Sequence, residues 1–222
     1  MGHVGGPTVS IEFKLEDIPE LGYFSSDEPY PRGEILLRGP TIFREYFRQP
    51  LKTAEALDAE GWLHTGDVGM LVEGNALRIV DRKKHIFKLS QGEYIAPERL
   101  ERLLETCSLI AQIFIHGDSL ESHIVGVVVP EREAVLEWAK KRGVEGDYEA
   151  LCASAELHKA IEEQMEGVGR EQGFNSLEKV RGNFIVERKA WSEKDLLTSL
   201  LKLKRHAAKE KYAEEFARLY SK

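Results

Sequence analysis

The sequence predicts an α/β (α+β) chain in two parts, residues 1–81 and 82–222, the first rich in strands and the second alternating strands with helices. Three observations lead there. Up to about residue 80, short runs alternate apolar and polar side chains between turns bearing Gly and Pro, the period of a half-buried strand. Beyond about residue 97, apolar residues recur at i, i+3, i+4 and i+7, the period of a helix packed on one face, and strand-like runs separate those segments. Between the two textures, four charged residues, Asp81-Arg82-Lys83-Lys84, directly follow a strand of buried character. A domain boundary fits there; an ordinary charged loop inside one domain is the plainer alternative.

In chain order, Val9 to Leu15 alternates at period two and reads as a strand. Pro29-Tyr30-Pro31-Arg32-Gly33 is a turn, and Glu34 to Arg38 a second strand closed by Gly39-Pro40. Thr53 to Leu57 suggests a short helix capped by Thr53. Val68 to Val72 and Ala76 to Val80 flank Glu73-Gly74-Asn75 as a hairpin. Pro97-Glu98-Arg99 opens a helix striped by Leu100, Leu103, Leu104 and Cys107. Strands follow at Gln112 to Ile115 and Ile124 to Val129, then a helix through Val135, Trp138 and Ala139 that ends near Gly143. Leu157, Ala160, Ile161, Met165 and Val168 stripe a longer helix. Asn183 to Val186 is the last strand, and Ala208, Tyr212, Phe216 and Leu219 stripe a closing helix.

Composition excludes several classes. With 222 residues the chain can bury one large core or two smaller ones. Hydrophobic residues at 42% and charged residues at 31% argue against disorder. The longest apolar stretch, Ile124 to Val129, is far short of the roughly 20 residues of a membrane-spanning helix. Met1-Gly2-His3-Val4-Gly5-Gly6 lacks the basic-then-apolar pattern of a signal peptide. Cys107 and Cys152 form neither a disulfide framework nor a CxxC pair. An intracellular setting is therefore expected, cytosolic or peripheral to an organelle membrane. A net charge of −7 disfavours general nucleic-acid binding. The sequence has no GxxxxGK[ST], GxGxxG, HExxH or GxSxG pattern. Its seven histidines show no metal-ligand spacing, so no metal site is expected.

Four sets of residues could carry chemistry. Asp67, in Thr65-Gly66-Asp67, is an acceptor at a glycine-supported turn, suited to the two hydroxyls of a ribose, although Gly-Asp at a turn often only caps the backbone. Arg82 ends the next strand and could add a guanidinium fork to the same sugar or to a phosphate, or serve as a surface ion-pair partner. Lys83, Lys84 and Lys88 surround an apolar pair ahead of Gly92, where a ligand could approach the backbone; a solvated hairpin explains the same pattern. Lys202 follows the uncharged Ser199-Leu200-Leu201 and begins a basic run, Lys202-Leu203-Lys204-Arg205. Positive charge opening a helix opposes the macrodipole, so more than helix stability is at stake there, with a solvated basic face as the alternative.

Together these segments resemble the C-terminal part of the adenylate-forming superfamily, closest to its long-chain acyl-CoA synthetases. Four stretches carry the resemblance: Gly33 to Pro40, Gly61 to Gly69, Asp81 to Glu98, and Leu196-Leu197-Thr198 through Lys202 to Arg205. They cover nearly the whole chain, and the Lys88-Leu89-Ser90-Gln91-Gly92-Glu93 run points to fatty-acid synthetases.

The resemblance implies a mobile C-terminal domain and an activity in two steps, in which ATP and a fatty acid give an acyl adenylate and pyrophosphate, and coenzyme A then takes the acyl group. It implies that Asp67 holds the ribose with help from Arg82, and that Asp81, Arg82, Lys83 and Lys84 form a hinge running to Ile86 with Lys84 as pivot. Lys84 and Lys88 would serve the nucleotide, Gly92 would line the path of coenzyme A, and Lys202 would be catalytic, bridging the fatty carboxylate and the α-phosphate. His85 stands where these synthetases usually carry an acidic residue, and Ser199-Leu200-Leu201 replaces a proline-containing approach. The phosphate loop, the magnesium ligands and the acyl tunnel of the family precede the region matched here. The expectation is therefore a C-terminal piece, inactive alone, whose partners are ATP, fatty acid, coenzyme A and the missing N-terminal part. No nucleic acid is expected, and peripheral membrane contact would suit the greasy substrate. The competing reading is a stand-alone module that binds coenzyme A or a partner without catalysis; an anionic-lipid or nucleic-acid patch at residues 202–211 ranks last.

Overall fold

In the computed structural model, residues 3–221 are described. Met1, Gly2 and Lys222 lie outside them, the first two belonging to the opening stretch read above as lacking a signal-peptide pattern. The chain divides into two compact units, Met1–Ile86 and Phe87–Lys222.

The first unit is a four-stranded antiparallel sheet in chain order: β1 (Glu12–Glu16), β2 (Arg32–Arg38), β3 (Leu63–Val72) and β4 (Ala76–Arg82). Ile18, Ile35, Leu36 and Val68 are buried and form its apolar layer. Gly69 on β3 has no room for a side chain, since a Cβ there would lie 2.6 Å from Cγ1 of Ile35. The β3–β4 hairpin turns through Glu73–Asn75, with Gly74 at φ 75°.

Three expectations need correction in this unit. Thr65-Gly66-Asp67, read as a turn ahead of a strand at Val68, lies inside β3, which already pairs with β2 at Leu63 and His64 and carries a bulge beside Gly66. The first strand begins at Glu12, because Glu12 already faces Arg38, the last residue of β2, and Val9 lies exposed in a turn with no strand to pair with. The short helix α1 (Pro50–Ala56) starts three residues before Thr53, with Gln49 at its N-cap and Pro50 supplying the fixed φ of a first turn. Thr53 sits inside that turn, its hydroxyl donating to the Gln49 carbonyl and accepting the Tyr46 N–H.

The second unit opens with a small hairpin, β5 (Phe87–Lys88) and β6 (Tyr94–Ile95), followed by α2 (Pro97–Leu104). Its sheet has the order β7 (Ile110–His116), β8 (Val125–Pro130), β9 (Phe184–Val186), antiparallel then parallel. Helices α3 (Arg132–Arg142), α4 (Tyr148–Cys152) and α5 (Ala155–Glu171) lie between β8 and β9 in the chain, and α6 (Arg205–Lys211) and α7 (Ala213–Tyr220) close it. Strand alternation sorts the core into two layers. Ile113, Ile115 and Val128 pack with Leu100, Leu104, Leu157 and Ile161 on one face. Phe114, Val127 and Val129 pack with Trp191, Ala208, Tyr212 and Phe216 on the other. Because β8 is covered on both faces, its sequence is a run of valines.

The expected single closing helix is two helices. Tyr212 breaks it with φ −104° and ψ 16°, while its hydroxyl accepts from Trp191 Nε1 and donates to Glu187 Oε2, both at 2.8 Å. Both cysteines are buried and unpaired, and burial pushes the Cys107 thiol up to about 11.

His116, at the end of β7, stacks on Phe216 with ring centroids 4.8 Å apart. Burial, then the charge of Lys209 and more weakly Arg205, hold its imidazole down to about 4 against the opposing pull of Asp118. The unfolded chain titrates this group near 6.5 and so binds more protons below that pH. Stability is therefore complete above about pH 6.5 and is lost as pH falls toward about 4. Urea unfolding should show a His116-dependent loss on the order of 2 kcal/mol across that window, with the ring partly open to water. The loss should be absent from His116→Phe, and identical pH profiles for the two proteins would contradict it.

Candidate nucleotide- and acyl-handling residues

In the first unit, the pairing of β3 with β4 sets Asp67 directly opposite Arg82. Arg82 Nε donates to Asp67 Oδ1 at 2.8 Å, and the two side chains are 42% and 30% exposed, so the pair remains open to solvent. Arg82 Nη1 also donates to the Thr65 carbonyl at 3.3 Å. The stretch of β3 before Asp67 is tightly built. Gly66 has φ 70°, Asp67 N–H donates to Thr65 Oγ1, and the Thr65 hydroxyl donates to the Ile35 carbonyl at 2.7 Å.

Sequence reasoning missed the residue that holds this stretch of β3. Glu34, with its side chain 6% exposed, accepts Gly66 N–H at 3.1 Å on one carboxylate oxygen and the Lys83 ammonium at 3.1 Å on the other. Lys83 N–H in turn donates to the Gly66 carbonyl at 2.8 Å. Partial burial disfavours the Lys83 ammonium, but its hydrogen bond to Glu34 and the charges of Glu34 and Glu20 raise its pKa above the ordinary value. The signal was a glutamate within a strand that is otherwise apolar, Glu34-Ile35-Leu36-Leu37. Asp81 is buried within β4, and Arg82 is the last residue of that strand. Lys84, in the turn closed by His85 N–H to the Arg82 carbonyl, is exposed.

In the second unit, Lys88 and Gly92 share the β5–β6 hairpin. Leu89 N–H donates to the Glu93 carbonyl and Gly92 N–H to the Leu89 carbonyl, both at 2.9 Å. Gly92 has φ 92°, a conformation costly for any residue with a Cβ, and its open side faces the Lys88 stem, 3.8 Å from where a Cβ would stand. Ser90 N–H and Gln91 Nε2 tie the loop to the carbonyls of Glu121 and Ser122.

Lys202 belongs to the same unit and lies exposed at the end of a tight loop. Thr198 N–H donates to the Lys202 carbonyl at 2.8 Å, and Lys202 N–H returns a bond to Thr198 Oγ1. Leu201 takes φ 58°, which swings Leu200 and Leu201 into solvent, whereas Leu196 and Leu197 are buried. Thus Asp67 meets Arg82, Lys88 neighbours Gly92, and Lys202 stands on a loop of its own. A part-exposed carboxylate beside a guanidinium suits a sugar diol, and a solvent-facing ammonium suits an anionic reactant.

No protein-family model matches the chain. It is 46% identical over 220 residues to long-chain-fatty-acid–CoA ligase 6 of Homo sapiens, a match that covers 99% of this chain and 31% of that protein. Its identity to the peroxisomal long chain acyl-CoA synthetase 7 of Arabidopsis thaliana is 43% over 221 residues, 99% of this chain and 32% of that one. The chain thus spans about a third of the length of these curated relatives. Among solved structures, the adenylation domain of a carboxylate reductase from Mycobacterium chelonae superposes with a TM-score of 0.83 at 35% identity, covering 96% of this chain and 31% of its own. The corresponding domain from Segniliparus rugosus, solved with AMP and a co-purified carboxylic acid, gives 0.82 at 37% identity, covering 96% of this chain and 32% of its own.

Glu34→Ala removes the acceptor of both Gly66 N–H and the Lys83 ammonium. It should destabilise the first unit by about 1–3 kcal/mol in chemical denaturation, since Lys83 keeps some solvent. An unchanged unfolding midpoint would show that the carboxylate holds neither group.

Proposed function

Because the chain is related along 99% of its length to long-chain acyl-CoA synthetases, we propose that it is the C-terminal third of an AMP-forming long-chain fatty acid–CoA ligase. The observation that carries the reading is the exposed Asp67–Arg82 pair, on a chain 37% identical to a domain solved with AMP and a carboxylic acid. Asp67 accepts hydrogen bonds from the ribose hydroxyls, and Arg82 fixes the orientation of its carboxylate. Lys84 and Lys88 offset phosphate charge, and Gly92 leaves the backbone open to the arm of coenzyme A. Asp81 through Lys84 form the hinge, with Lys84 as pivot because Lys83 is fastened to Glu34 and Gly66.

In the first step a fatty carboxylate oxygen attacks the α-phosphorus of ATP, and the bond to pyrophosphate breaks. Two anions must meet, and the Lys202 ammonium lies between them, offsetting a repulsion that grows as charge develops. One preorganised contact of this kind is worth about 3–4 kcal/mol of barrier. In the second step the coenzyme A sulfur attacks the acyl carbonyl and AMP leaves with its bonding pair. Magnesium accompanies ATP in such reactions, yet the carboxylate–histidine cluster of the first unit's sheet does not fit it. Glu16, Glu34 and His64 come within ligand reach of one another, but Glu34 is committed to Lys83 and His64 offers nitrogen where magnesium prefers oxygen. No step is assigned to a metal on this chain. No helix among the described residues is long and apolar enough to cross a membrane, and peripheral contact with a bilayer is the route by which a long-chain fatty acid would be delivered.

The chain alone, given ATP and palmitate, should release no pyrophosphate above background; sustained release would overturn the reading of it as a dependent part. In the full-length ligase, Lys202→Ala should lower acyl-adenylate formation by about 100- to 1,000-fold and leave thioester formation from supplied acyl adenylate nearly normal. Equal loss of both steps would remove Lys202 from its role.

A further inference from the structure

Three residues beyond Lys202, the chain enters α6 through Arg205, and this side chain is among the most closely held in the second unit. Arg205 Nη1 donates to Glu101 Oε1 at 2.9 Å and to Oε2 at 2.7 Å, and Nη2 donates to the Ile115 carbonyl at 2.9 Å. Glu101 Oε1 also accepts Ile115 N–H at 2.7 Å. The guanidinium carbon lies 5.0 Å from the Phe114 ring centre. The side chains are only 14% and 9% exposed. The bonds close a ring that joins α2, the end of β7 and the foot of the Lys202 loop, across 104 residues of sequence.

Neither helix stability nor core stability calls for this arrangement. Positive charge at the start of α6 opposes the helix macrodipole. Two ions taken from water gain little over a well-packed apolar pair of similar size. What the pair supplies is a fixed position. On the other side of the loop, Lys204 N–H donates to the Leu196 carbonyl at 2.7 Å, and Lys204 Nζ reaches the carbonyls of Glu193 and Asp195 at 3.3 Å. Both ends of residues 196–205 are thereby anchored; Lys202 and Lys204 are both exposed there, but Lys204 Nζ is engaged by the Glu193 and Asp195 carbonyls.

We propose that the Glu101–Arg205 ion pair is a positioning device for Lys202, fixing the loop so that the ammonium reaches the reacting anions in register. The inference rests on the adenylation role proposed for Lys202. Arg205→Lys keeps the charge and loses the fork. In the full-length ligase it should lower kcat for pyrophosphate release about 100-fold, the cost of a misplacement near 1 Å, with KM for ATP and thioester formation from supplied acyl adenylate changed less than about twofold. Glu101→Gln should act in the same direction.

The double variant Glu101→Leu/Arg205→Met separates position from stability. It leaves the Ile115 N–H and carbonyl without these partners, so it should fold with a lowered thermal midpoint, be deficient in adenylation, and keep thioester formation from supplied acyl adenylate nearly normal. Normal adenylation in a folded Arg205→Lys or double variant would overturn the inference, as would parallel loss of both half-reactions together with the thermal midpoint. Lys202→Ala, run beside them, distinguishes the levels. If it spares adenylation, the underlying role of Lys202 falls; if it abolishes adenylation while Arg205→Lys does not, only the positioning role falls.

Discussion

The arrangement around the Asp67–Arg82 pair of the first unit depends on one buried carboxylate. Glu34 is taken out of water and must therefore be satisfied in full, and it is satisfied by Gly66 N–H and the Lys83 ammonium. These partners flank the Asp67–Arg82 ion pair, one just before Asp67 and the other just after Arg82. A need for charge compensation inside the sheet thus becomes a geometric constraint at its surface. The β3–β4 register then completes the arrangement by placing Asp67 and Arg82 face to face.

The second unit solves a different problem, that of presenting an exposed lysine from a loop. A lysine side chain has many rotamers, and ordering it from a loose loop would add the entropy of the backbone as well. The sheet offers two apolar layers, and the layer holding Trp191, Leu196, Leu197, Ala208 and Tyr212 anchors the segments on both sides of the Lys202 loop. The loop itself is closed by hydrogen bonds to Thr198 and by the left-handed backbone of Leu201. Lys88 and Gly92 gain their relation more cheaply, from a two-residue hairpin pinned to the 121–122 loop.

Much of this was legible from local pattern. The valine run of β8, the stripe of α5 and the Glu73-Gly74-Asn75 turn each follow from side-chain periodicity or backbone freedom within a few residues. Asp67 and Arg82 could be named as a joint pattern because the Glu73-Gly74-Asn75 turn makes one hairpin of the segments that carry them. The misses share a cause. Val9 alternates like a strand, but whether a strand forms depends on its partner, and β2 has already ended opposite Glu12. The break at Tyr212 depends on Trp191 and Glu187, which lie 21 and 25 residues away. Glu34 and Glu101 were not singled out because their cations, Lys83 and Arg205, are 49 and 104 residues distant. Local sequence carries no trace of such pairings.

The two cysteines acquire meaning in this light. Cys107 and Cys152 lie within the core of the second unit, and burial raises the pKa of both thiols, so neither offers a thiolate at neutral pH. Their side chains serve the packing of that core, between α2, α4 and the sheet, rather than an exposed reactive surface.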